Sequence, residues 1–176
     1  MKYDPDKHHR RSIRLHDYDY SQDGAYGVTI CTSNRELFFE NSRIAAIAEQ
    51  CWLKIPVHFP KVELDEWILM PNHLHGIILI TNDVRRGVQL NALASRDPNK
   101  VQSAISPHSG TLGVIIRTFK GAVTTQCRTQ GYIEFAWQRL FYDRIIRDEP
   151  HLNRVRQYII DNPGKWTEDQ YNPQNA

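Results

Sequence analysis

The sequence has 176 residues, 40% of them hydrophobic and 24% charged, with 9 Gly and 9 Pro, which excludes a fibrous or low-complexity chain and fits one globular domain with an arm or inserted loop. Its 22 Lys+Arg nearly cancel its 20 Asp+Glu, for a net charge of +2, so bulk charge alone does not point to nucleic acid. No run reaches the ~18–20 apolar residues of a membrane span, the start MKYDPDKHHRRSIRL has no apolar signal core, and Cys31, Cys51 and Cys127 lack CxxC spacing, so a cytoplasmic protein with buried free thiols is expected.

Residues 1–22 are polar and charged without sustained periodicity, and read as a basic N-terminal arm. From Ala25 the run AYGVTICTS is β-branched and aromatic, a strand pattern. Ile44, Ile47, Ala48, Cys51, Trp52 and Ile55 then recur at three- and four-residue spacing, predicting an amphipathic helix that stops before Pro56. Val62 to Met70 and His73 to Ile80 are two apolar runs around the turn pair Pro71-Asn72, an antiparallel hairpin. Residues 83–110 are rich in Asn, Ser, Asp and Pro and read as a polar inserted loop.

Thr111 is placed as the N-cap of a helix with the apolar stripe Leu112, Ile115, Ile116, Phe119 and Val123. The run from Tyr132 to Ile146 is dense enough in hydrophobic residues for a central strand, and a last helix from about Glu149 to Asn162 ends at Pro163-Gly164. The order β, α, β, β, α, β, α predicts an α+β chain, a ferredoxin-like split βαβ sandwich with an antiparallel sheet and an added C-terminal helix. The domain is expected to span 23–166, with 167–176 as a C-terminal tail. Charge is unevenly distributed along it. Residues 113–166 hold nine basic and five acidic residues, and residues 1–14 hold five and two, so one positive face is one reading and two separate solvated surfaces the other.

His73 and His75 flank Leu74 in a predicted strand, so the period of two puts both imidazoles on one face, able to offer two neutral nitrogens to one metal. The plain alternative is one exposed ring and one held by a loop. On the last helix Tyr158 and Asn162 are four residues apart and project from one side. Their plain alternatives are a boundary aromatic and a helix C-cap before proline.

The segments EWILMPNHLHGIILI, GVTICTSNRELFF, GVIIRTFKGAVT, WQRLFYDRIIRDE and HLNRVRQYIIDNPGKW resemble those of the single-tyrosine HUH transposases, in particular the REP-associated tyrosine transposase branch, over roughly Tyr26 to Trp166. The resemblance implies that His73 and His75 bind a divalent metal, that Tyr158 is the nucleophile and that Asn162 is a further metal ligand. It implies metal-dependent cleavage and joining of single-stranded or hairpin DNA through a 5′-phosphotyrosine. Nitrogen and oxygen ligation without thiolate favours Mg2+ or Mn2+. Arg117, Lys120, Arg139, Arg144 and Arg147 are the candidates for DNA backbone contacts, and Trp137 and Tyr142 for base stacking. Tyr142 is also the rival nucleophile. The long polar insert and the modest net charge depart from the family pattern. A non-cutting relative that holds hairpin DNA or RNA is the runner-up function, and a metal-dependent phosphodiesterase acting on something other than DNA is a third; monomer and homodimer are both open.

Overall fold

Strict alternation along one strand sorts the whole molecule into two layers. In the computed structural model, which describes residues 18–81 and 110–175, β3 (His73–Ile80) is buried at every position. Leu74, Ile78 and Ile80 enter one hydrophobic cluster, while Ile77 and Leu79 enter a second on the other face. The strand lies inside one antiparallel sheet of order β2-β3-β1-β4, with β1 at Gly24–Cys31, β2 at Val62–Met70 and β4 at Tyr142–Ile146. This is the split βαβ order that the sequence predicts.

Two long helices cover the first face. Helix α1 (Ser42–Leu53) is capped by Asn41, whose side chain accepts from the Arg43 and Ile44 amides, and it buries Ile44, Ile47, Ala48, Cys51 and Trp52. A short helix α2 (Ile55–His58) follows at once, with Pro56 in its first turn, where a missing N–H costs nothing. Helix α3 (Leu112–Thr129) starts at the Thr111 cap and buries Leu112, Ile115, Ile116, Phe119, Val123 and Cys127. The three cysteines are free and buried. No helix among the described residues is long and apolar enough to cross a membrane.

Helix α4 (Glu149–Asp161) covers the second face. It starts at the Asp148 cap and buries Leu152 and Ile159 against Ala25, Ile77, Leu79 and Ile146. Arg156 fixes it across β2 with a bidentate pair to Asp65, at 2.8 and 2.6 Å.

Two sequence expectations need correction. The run from Tyr132 to Ile146 is not a central strand. Its strand is Tyr142–Ile146, at the sheet edge beside β1; ahead of it Trp137 makes one isolated bridge to Thr32, and Phe135 and Trp137 turn inward to pack with Phe38, Phe39 and Phe119. Residues 167–175, read as a tail, are not free of the domain: Tyr171 and Asn172 are buried. The expected arm lies outside the described residues up to residue 17, and its end packs Tyr18 and Tyr20 on Tyr26. The 83–110 loop lies outside the described residues except for Gly110.

Gly76 sits where β3 crosses under α1. A Cβ there would meet Trp52 Cζ2 at 2.5 Å and Trp67 Cβ at 3.2 Å. Both neighbours are large rings in the core layer, so Gly76→Ala is expected to cost about 1–3 kcal/mol. Thermal unfolding checks it, at about 2–4 °C of Tm for each kcal/mol.

Candidate active site

The pleat that sends Leu74 into the α1/α3 core sends His73 and His75 to the α4 face. Their ring centroids are 4.5 Å apart and both are buried, at 0% and 4% exposure. Asn72 orients the first ring. Its Nδ2 donates to the Arg35 carbonyl at 2.9 Å and to the Tyr171 carbonyl at 2.7 Å, which fixes the amide so that Oδ1 faces His73 Nδ1 at 2.8 Å. An amide oxygen only accepts, so Nδ1 carries the ring proton and Nε2 holds a free lone pair. The second ring has Thr29 Oγ1 at 2.8 Å from Nδ1, and its Nε2 faces the Tyr158 hydroxyl at 3.5 Å, a contact rather than a strong hydrogen bond.

Burial keeps both rings neutral. It pushes the His73 pKa down to about 2, with help from His75 and Arg35, and that of His75 down to about 4. Neutral imidazoles with fixed Nδ1 partners are what a metal requires of its histidine ligands. Asp169 completes a cluster in which one donor atom from each of His73, His75 and Asp169 lies within 4.8 Å of the others. Its Oδ2 is 3.9 Å from His73 Nε2, and its Oδ1 accepts from the Tyr171 amide at 2.6 Å. Cys31, paired with His73 across the sheet, offers no thiolate, because burial pushes its pKa up to about 11.

The donor set fits a divalent cation on a specific observation. Among the described residues, the buried side-chain polar atoms without a hydrogen bond are Trp52 Nε1, Trp137 Nε1, His73 Nε2 and Asn162 Oδ1. Two of the four are ligand-type lone pairs on residues that the sequence marks as metal ligands. An orphaned buried polar atom costs about 1–3 kcal/mol, which a bound cation would recover.

Tyr158 stands over this pair from α4, 48% exposed, its ring 5.3 Å from that of His75. Partial burial raises its pKa and Asp169 adds to the rise, while Asn162, one turn on, and Arg144 oppose it. Tyr171 covers the other side, with its ring 4.7 Å from His73, and Arg35 holds that segment through the Gln170 carbonyl at 2.6 Å and over the Tyr171 ring at 5.3 Å. A cleft of about 720 Å³ opens beside Tyr158 and His75, lined also by Thr29, Tyr142, Arg144 and Arg154.

The structure therefore brings His73, His75 and Tyr158 together and puts Asn162 beside Tyr158. Of the expected DNA contacts, Arg144 lines this cleft, and Arg147 lines a smaller adjoining pocket that shares Arg144 with it. Arg139 is exposed on the loop before β4, and Arg117 is exposed on α3, in the layer behind the sheet. Lys120 is engaged inside: its ammonium donates to the carbonyls of Gln138 at 2.6 Å and Leu140 at 3.2 Å, and burial lowers its pKa to about 8. Trp137 is packed in the aromatic cluster, whereas Tyr142 is 41% exposed on the site face. Sequence reasoning missed Asp169, Tyr171, Asn72 and Thr29; the aromatic Tyr171 in a supposed tail was the available signal.

No family model matches the sequence. An uncharacterized protein of Haemophilus influenzae is 39% identical over 180 residues, covering 96% of each chain. The chain belongs to that protein's family. A solved REP-associated tyrosine transposase bound to a REP hairpin superimposes with a TM-score of 0.61 at 18% identity, covering 87% of this chain and 74% of that one. The chain thus has the fold of a tyrosine transposase.

Two outcomes follow for this transposase-type fold. Millimolar Mn2+ is expected to raise the Tm of the wild-type protein and not that of His73→Ala, with Asp169→Ala and Asn162→Ala showing which oxygen donor contributes. Without metal, unfolded histidines gain protons below about 6.5 while the folded ones stay neutral. Stability is therefore expected to fall as pH drops from about 6.5 towards 4, by up to about 1.4 kcal/mol per unit for each ring, and to be flat from this source above 7. Urea titrations of the metal-free protein at pH 7, 6 and 5 measure this slope, which His75→Gln should reduce.

Proposed function

We propose that the protein is a metal-dependent DNA strand transferase of the tyrosine-transposase kind, cutting and rejoining single-stranded or hairpin DNA. The observation that carries this reading is the meeting of two neutral, oriented histidines with a half-exposed tyrosine whose hydroxyl is 3.5 Å from His75 Nε2. A structural histidine pair needs no orphaned Nε2, and a phosphodiesterase that uses metal-activated water needs no helix-borne phenol.

His73, His75 and an oxygen from Asp169 or Asn162 would hold the metal. Mg2+ or Mn2+ suits that set, and when bound it polarises the scissile phosphate and offsets charge developing on its oxygens. Tyr158 supplies the nucleophile: its Oη forms a bond to phosphorus as the bond from phosphorus to the 3′ oxygen breaks. The phenol gives up its proton to solvent and the departing 3′ oxygen takes one up from solvent, so the strand leaves as a 3′ hydroxyl. The 5′-phosphotyrosine keeps the phosphodiester energy, so reversal joins strands with no nucleotide cofactor. Arg144 lines the same cleft as Tyr158, and its charge favours the phenolate. Tyr142 stands on β4, across Thr29 from His75 in the strand register, and serves the strand rather than the attack.

Incubation with labelled single-stranded hairpin DNA and Mn2+, followed by a denaturing gel, tests the reading. The wild-type protein is expected to shift covalently. Tyr158→Phe, which removes one oxygen from a half-exposed ring, should abolish the adduct with binding and folding intact. Tyr142→Phe should keep it. An adduct that survives Tyr158→Phe, or maps to Tyr142, refutes the assignment. A protein that binds the hairpin and never forms an adduct with either metal is the non-cutting relative.

A further inference from the structure

Among the described residues β4 is an edge strand with β1 as its one neighbour, so something other than a second strand has to fix where it begins. Its ladder with β1 ends at the pair Thr29 and Tyr142, and the next point of pairing is the bridge from Thr32 to Trp137. Between these two points β1 advances three residues and the facing segment five, so two extra residues bulge out between Trp137 and Tyr142. In the register of the bridge Leu140 would stand opposite Thr29. The bulge puts Tyr142 there instead, in line with Thr29 and His75 across the sheet.

A bulge takes backbone carbonyls out of the ladder, and they need another donor. Lys120 supplies it. From the middle of α3 its Nζ donates to the carbonyls of Gln138 at 2.6 Å, Leu140 at 3.2 Å and, more weakly, Arg139 at 3.5 Å, so the three N–H donors of the ammonium match three carbonyls of the bulge. Burial lowers its pKa to about 8, which leaves it charged at pH 7, and among the described residues no carboxylate pairs with it. The frame around it is firm: Phe119 packs on Trp137 with ring centroids 5.6 Å apart, and the Gln138 amide donates to the Cys31 carbonyl at 2.9 Å. A half-buried charge without a counter-ion costs desolvation, which a connection two residues shorter would avoid. What the bulge gains is the position of β4, whose Tyr142, Asp143 and Arg144 all line the cleft beside Tyr158.

We propose that Lys120 is a positioning residue: it fills the bulge between Trp137 and Tyr142, fixes the start of β4, and so sets Tyr142, Asp143 and Arg144 in the wall of the cleft. Its use in the reaction rests on the strand-transferase reading, whereas the placement of β4 does not. The charge of Lys120 thereby has a role other than the DNA contact expected from the sequence.

Native-state hydrogen exchange of the full-length protein reads the placement, and adduct formation on labelled single-stranded hairpin DNA with Mn2+ reads its use. In Lys120→Met, which keeps the stem and removes the donors, amides from Arg139 to Ile146 are expected to exchange at least about tenfold faster, with β3 and α4 unchanged. The DNA concentration for half-maximal adduct rate should rise at least about threefold while the rate at saturation stays within about twofold, because His73, His75 and Tyr158 sit on other elements. Lys120→Arg, which keeps the charge and the donors, should stay near wild type in both measurements. If Lys120→Met does not fold, Lys120→Gln, able to donate to one carbonyl, is read in the same way. Protection of β4 that is unchanged, as a direct phosphate contact would leave it, or lost equally over β3 and α4, as general destabilisation would give, overturns the proposal. So does a fall in the saturating rate alone. A loosened β4 in Lys120→Met with no adduct from the wild-type protein keeps the placement and refutes cutting. An adduct from the wild-type protein with β4 protection indifferent to Lys120 does the reverse.

Discussion

The hydrogen bond from His73 Nδ1 to the Asn72 side chain is the interaction on which the rest of the site depends. Asn72 is held from both sides by backbone carbonyls, so its oxygen has one direction to face, and the buried imidazole takes the tautomer that leaves Nε2 bare. The same amide ties together three separate parts of the chain. It joins the turn at Arg35, which has a left-handed backbone with φ of 58°, to the start of β3 and to the segment that carries Asp169 and Tyr171. A non-glycine residue in that region stores strain, and the bonds of its carbonyl and guanidinium help to hold it there.

From that point the functional geometry follows from ordinary packing. The pleat of β3 needs Leu74, Ile78 and Ile80 in one core and Ile77 and Leu79 in the other, so His73 and His75 have no freedom to leave the α4 face. Leu152 and Ile159 bury α4 on the same face, and Arg156 locks its lateral position through Asp65. Tyr158, one residue before Ile159, is thereby carried to the edge of His75 while remaining open to solvent. Nothing in the apolar core requires a bare nitrogen there. The buried Nε2 without a hydrogen bond marks a place where stability is given up, as expected at a functional site.

What was legible in the sequence was local and periodic. Alternation showed that His73 and His75 share a face, and four-residue spacing showed the same for Tyr158 and Asn162, because both are properties of a single element. The cap at Thr111 lies within one turn of the helix it starts. Two things were not legible. The WQRLFY run has strand composition, but whether an aromatic residue joins a ladder or a core cluster depends on partners far away, here Phe39 and Phe119 for Trp137. Asp169 and Tyr171 lie in a 3-10 and irregular stretch with no period to read, and their role comes from contacts to residues more than 90 positions earlier. The basic residues divide in the same way: charge is visible in the sequence, but Lys120 turns inward while Arg144 and Arg154 line the cleft.

The central claim is that one divalent cation sits between His73 and His75 beside Tyr158, and it is tested most directly by locating that cation. Crystals of the full-length protein grown with Mn2+ and measured with anomalous scattering should show a strong peak bonded to His73 Nε2 and His75 Nε2, completed by Asp169 or Asn162 and facing the Tyr158 hydroxyl. No peak at the pair at millimolar Mn2+, or one bound elsewhere with the two imidazoles unligated, would contradict it.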